Sequence, residues 1–129
     1  MFLHELRPHT RANHVPTRRP AAFRPAVSLT EDGEAYTLTL ELPGVAPEAI
    51  EVTLLSGELT IKGEKTLPTP GEDVNVHVQE RLAGGFERTV KFPMAVAHDG
   101  VTAHAAHGVL TVRVAKAKEA LPRTIKVTG

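Results

Sequence analysis

The chain has 129 residues, 15 Lys+Arg against 15 Asp+Glu, and no cysteine. That length suits one domain rather than two, and balanced charge gives no global field toward nucleic acid or a membrane surface. The missing cysteines exclude a disulfide framework, a thiolate metal site and a cysteine nucleophile.

Charge is unevenly spread. Residues 1–25 hold Arg7, Arg11, Arg18, Arg19 and Arg24 against Glu5, so this arm carries +4 and the remainder −4. Pro8, Pro16, Pro20 and Pro25 break up any long helix there. Phe2, Leu3 and Leu6 sit at helical spacing, enough for one amphipathic turn that binds an apolar surface elsewhere but makes no core. The arm has no 7–15-residue apolar stretch of the secretory kind. Its arginines suit a mitochondrial transit peptide, but it lacks serine and is interrupted by proline. The expected location is therefore cytoplasmic, with no apolar run long enough for a bilayer.

From Ala26 the pattern has period two, as in half-buried strands. Val27 and Leu29 precede the turn Glu31-Asp32-Gly33. Tyr36, Leu38, Leu40 and Leu42 share one strand face, and Pro43-Gly44 ends it. Ile50, Val52 and Leu54 form the next row, closed by Ser56-Gly57, and Leu59 and Ile61 follow. Leu67–Asp73 is a loop by composition. Val74, Val76 and Val78 then alternate with Asn75, His77 and Gln79, and Phe86, Arg88, Val90 and Phe92 follow Gly84-Gly85. A last hairpin joins Val101–Ala105 to Val109–Val114, and Lys116–Glu119 is a solvated link. Strands every 8–12 residues without a long helical pattern predict an all-β, immunoglobulin-like antiparallel sandwich. Such a sandwich has edges, and open edges invite pairing with another chain.

Arg88 breaks the apolar alternation, and two readings of it stand. It snorkels to water at a sheet edge, or it forms an interface salt bridge with Glu80 or an acid of another chain.

The chemistry-bearing motifs are missing. There is no G-x-x-x-x-G-K-[ST] or G-x-G-x-x-G to cradle phosphate, and neither Ser28 nor Ser56 lies in G-x-S-x-G. His4-Glu5-Leu6-Arg7-Pro8 has proline where H-E-x-x-H needs its second histidine. His104 and His107 lack a third ligand, and a strand puts i and i+3 on opposite faces. The expectation is no enzyme activity, no cofactor and no metal. The arm lacks the interleaved aromatics of a nucleic-acid binder.

Five segments in order carry a resemblance. They are Glu41-Leu42-Pro43-Gly44-Val45, Leu59-Thr60-Ile61-Lys62-Gly63-Glu64, Glu80-Arg81 with Gly85-Phe86-Glu87-Arg88 and Phe92-Pro93, Ala103 to Leu110, and Ile125-Lys126-Val127. Together they resemble the small heat shock protein (Hsp20, α-crystallin domain) family. Departures are His107 where asparagine is common, Ala115-Lys116 for Pro-Lys, and a short arm poor in phenylalanine.

The resemblance implies a flexible arm over 1–25, an α-crystallin domain over 26–116 and an extension over 117–129 carrying the I-x-V motif. It implies an ATP-independent holdase of the stress response that keeps partly unfolded clients from aggregating until other chaperones refold them. The partners implied are a homodimer, a larger homo-oligomer, non-native clients and, indirectly, refolding chaperones. In the dimer a strand within Val74, Val76 and Val78 swaps onto the partner's strand at Val27 and Leu29. In the oligomer Ile125 and Val127 dock into a groove formed by Ile50, Val52, Leu54, Val101 and Ala103. Arg88 and Glu80 make the interface salt bridge, and Phe2, Leu3, Leu6 and Phe23 form the client-binding arm. Two rivals remain open: a co-chaperone-like sandwich adaptor without holdase action, and a tail that is merely the last strand of the same sandwich.

Overall fold

The computed structural model describes residues 23–129, so Phe2, Leu3 and Leu6 lie outside the described residues. Seven strands form among the described residues: β1 Val27–Glu31, β2 Ala35–Glu41, β3 Ile50–Leu55, β4 Glu58–Lys65, β5 Gly84–Lys91, β6 Val96–Ala106 and β7 Val109–Lys116. Single 3-10 turns occupy Pro47–Ala49 and Lys118–Ala120. One sheet has the order β1-β2-β7-β6 and the other β3-β4-β5, and every pairing is antiparallel. This is the antiparallel β-sandwich expected from the alternation.

The inward rows are those read from the sequence. Tyr36, Leu38, Leu40, Leu110, Val112 and Val114 from the larger sheet meet Leu59, Ile61 and Phe86 from the smaller in one buried cluster. Each such aliphatic side chain stabilises the fold by about 1.5–3 kcal/mol when fully buried.

The hairpins have a shared cause. Ser56-Gly57 and His107-Gly108 both take positive φ at the two central positions, 51° and 76° in the first and 54° and 76° in the second. That is the mirror-image turn whose twist matches two-residue hairpins. The second hairpin also docks on the Leu42-Pro43-Gly44 turn. Leu42 N–H donates to Gly108 O at 2.7 Å, and a Cβ on Gly108 would come 3.2 Å from Pro43 Cα. At Gly63 a Cβ would collide with the Ala49 carbonyl oxygen and lie 2.8 Å from Phe86 Cζ. Glycine there lets the 3-10 turn and the Phe86 ring close over β4.

Two segments differ from expectation. Strand β6 begins at Val96, not near Val101, with a register irregularity between them. The sequence Ala97-His98-Asp99-Gly100 has no apolar alternation to announce it. Conversely, residues 74–78 form no strand, and Val74, Val76 and Val78 are exposed. A strand exists only beside another strand, and among the described residues no neighbour pairs with them.

Candidate assembly surfaces

Strands β3 and β6 are the facing edges of the two sheets, so their inward rows border an apolar groove. It holds two small adjoining cavities. One, about 150 Å³, is lined by Leu42, Val45, Pro47, Ile50, Ala105 and Leu110, with the His107-Gly108 turn at its border. The other, about 140 Å³, is lined by Pro47, Ile50, Val52, Ala103, Ala105 and Leu110. Of the expected groove residues, Ile50, Val52 and Ala103 line these cavities. Leu54 and Val101 line neither cavity, though like Ile50 and Val52 they pack, partly buried, against the core. Pro47, Ala105 and Leu110 were not among the expected residues, although Ala105 continues the alternation of Val101 and Ala103 and Leu110 is its register partner on β7.

The tail is not a strand of this sandwich. Residues 121–129 have no strand structure, and Ile125 and Val127 are 77% and 91% exposed. In extended backbone, residues i and i+2 share a face about 6.5–7 Å apart. The tail thus offers two aliphatic side chains on one side, and the groove offers two neighbouring apolar hollows.

A second open surface is β1. Among the described residues it pairs with β2 alone, in the register Val27↔Leu40 and Leu29↔Leu38, and no described strand lies on its other side. Leu29 is 37% exposed there. Its far end is fixed by Lys116 Nζ, 3.5 Å from Glu31 Oε1 and nearly buried. The turn after it is fixed by Asp32, whose Oδ1 accepts from Glu34 N–H at 2.7 Å and Ala35 N–H at 2.8 Å. Arg113 Nη1 donates to Asp32 Oδ2 at 3.2 Å. The two N–H groups, then Arg113, hold the Asp32 carboxyl below the usual range. Tyr36, the register partner of Glu31, buries its hydroxyl with no hydrogen-bond partner among the described residues. That burial pushes the phenol up.

Arg88 is half-buried on the inward row of β5, opposite Ile61. It makes no ion pair among the described residues, and Glu80 stands exposed in the loop, so the two are not brought together within one chain. Phe23, expected in a client-binding arm, packs against the domain. Its ring meets Phe86 edge-on at 5.6 Å between centroids, with Lys65 Nζ 4.7 Å above it. Among the described residues no group of three or more His, Asp or Glu suits a metal, and no helix is long and apolar enough to cross a membrane.

Residues 28–128 match the Hsp20/alpha crystallin family. Small heat shock protein C4 of Rickettsia felis is 35% identical over 104 residues, covering 81% of this chain but 64% of that protein. Spore protein SP21 of Stigmatella aurantiaca is 35% identical over 125 residues, covering 95% of this chain and 74% of that protein. Among solved structures, heat shock protein 16.0 from Schizosaccharomyces pombe superposes with a TM-score of 0.72 at 30% identity, covering 83% of this chain and 97% of that one. A small heat-shock protein from Xylella fastidiosa, described as having a distinct high order structure, gives 0.69 at 34% identity over 84% of this chain and all of its own.

Proposed function

Since this chain belongs to the Hsp20/alpha crystallin family, whose members are chaperones, we propose that it is an ATP-independent holdase working through reversible self-assembly. The observation that carries this reading is the match between tail and groove. The exposed pair Ile125 and Val127 presents two aliphatic side chains, and the groove presents two adjoining apolar hollows bordered by Ile50, Val52, Ala103 and Ala105. The tail of one protomer docks into the groove of another. Two aliphatic side chains contribute roughly 1.5–3 kcal/mol each on burial, and ordering the tail offsets much of it. Each contact is therefore weak, and a closed assembly is held by many at high effective concentration.

The dimer forms by strand exchange. Val74, Val76 and Val78 find beside a partner's β1 the ladder they lack at home, next to Val27 and Leu29. Arg88 then meets an acid, Glu80 or another, supplied across that interface. Opened subunits present groove and edge to the extended apolar segments of an unfolding client, which backbone pairing accepts without sequence preference. The work needs no bond made or broken. The chaperone acts in the cytoplasm and passes clients to refolding machinery.

The test uses two measurements on one pair of proteins. The intact chain suppresses light scattering from a heat-labile enzyme at stoichiometric amounts, and Ile125→Ala with Val127→Ala shifts its mass from large assemblies toward dimers. A strictly monomeric chain that leaves the enzyme to aggregate refutes the proposal, and unchanged mass in the double variant refutes the tail's part in it.

A further inference from the structure

Strand β1 must be in place before a partner's strand can pair with it, and little holds it there. Four of its five residues are exposed, it pairs with β2 alone among the described strands, and short strands at a sheet edge open first. One end is tied by Glu41 N–H, which donates to Ala26 O at 3.2 Å. The other end, Glu31, is held by a group from two strands away. Lys116, the last residue of β7, reaches past β2 with its ammonium 5.5 Å from the centre of the Tyr36 ring and 3.5 Å from Glu31 Oε1.

The two ions are unequally buried: the Lys116 side chain is 9% exposed and that of Glu31 45%. If Glu31 swings out, its carboxylate regains water. The ammonium stays behind over the ring of Tyr36, which is itself packed on Phe92 at 5.0 Å. An exposed ion pair would hold a strand end only weakly, but a desolvated ammonium deprived of its acid is costly, so the charge on Lys116 keeps Glu31 in the ladder. Among the described residues no other acid lies within ion-pair distance of Lys116. Lys116 is also firmly mounted. Its N–H donates to Glu34 O at 2.8 Å, the following N–H, of Ala117, donates to Ala95 O at 2.9 Å, and its register partner is Val96.

We propose that Lys116 is a positioning residue for assembly: by holding Glu31 it keeps β1 ordered in the separate protomer, ready to accept the partner's strand. This rests on the strand exchange proposed above and adds the residue that sets how tightly the exchange binds. Without the clasp β1 is ordered only part of the time, and apparent affinity falls with the competent fraction. Lys116 lies beyond Val114, the last core residue of β7, so its loss frays an edge and leaves the sandwich folded.

Lys116→Met keeps the apolar stem and removes the charge, so no buried ion is stranded. In a dilution series of the full chain read by native mass, it raises the dimer dissociation constant about tenfold for each edge used, as for an edge ordered one-tenth of the time. The chain has no cysteine, so Thr30→Cys with Thr37→Cys, a register pair of β1 and β2, forms one defined disulfide that fixes the edge without the clasp. Added to Lys116→Met and oxidised, it restores the parent's dissociation constant, and reduction abolishes the rescue. Restoration also shows that the methionine variant folds. A loss that the oxidised disulfide fails to restore overturns the proposal, because Lys116 then acts by a route other than ordering β1. A dimeric parent indifferent to Lys116→Met overturns it alone, whereas a parent that never dimerises removes the strand-exchange reading along with it.

Discussion

At the residue scale, His107 holds a position whose φ of 54° suits asparagine better than histidine, because asparagine tolerates the left-handed region more readily. His107→Asn raises stability by about 0.5 kcal/mol, read as a higher melting temperature with unchanged mass. Gly63 is the opposite case. Gly63→Ala drives a methyl into the Ala49 carbonyl and the Phe86 ring, and overpacking of this kind destabilises by about 1–3 kcal/mol, measured by denaturant unfolding. Asp32 supplies the pH dependence. Its folded-state pKa is depressed, so its contribution is complete above the unfolded carboxylate value of about 3.9 and is lost as pH falls through the lower folded value. Wild type therefore melts above Asp32→Asn at pH 7, and the gap closes below about pH 4. Equal gaps at both ends of that range refute the assignment. These roles were only half legible in the chain. Gly63 and Gly108 were visible as family-like positions, but the carbonyl and the proline they approach come from segments far away in sequence.

At the scale of the element, legibility followed the partner. The rows Tyr36–Leu42, Ile50–Leu54 and Val109–Val114 were readable because each alternates against a core that the same chain supplies. Residues 74–78 alternate as clearly and form no strand alone, since period-two patterning reports a face to be buried and not who buries it. If that face belongs to a second chain, Val76→Asp leaves the sandwich folded and turns dimers into monomers in sedimentation. Arg88 belongs here too. Half-buried and without an ion pair among the described residues, it is the residue that the proposed interface supplies with an acid, and on that reading Arg88→Gly lowers the temperature at which the protein aggregates. Arg81→Gly, exposed in the loop, does not. Arg113→Gly destabilises by a different route, because Arg113 holds Asp32.

At the scale of the whole molecule, the chain is a sandwich with four borders, and they are unequal. The free side of β1 runs through Val27, Ser28, Leu29 and Thr30, and β3 and β6 frame the hollows at Ile50 and Ala105. The fourth border, β5, carries Glu87, Arg88 and Lys91. Its start is bent by Gly84 at φ 118°. Charge and a kink along a strand border discourage a stranger from annealing to it. On the assembly proposed above, a protomer that pairs strands along β1 and docks tails between β3 and β6, but meets a neighbour along β5 only through side-chain charge, is steered toward shells that close upon themselves, away from the endless ribbon that stacked sheets otherwise become.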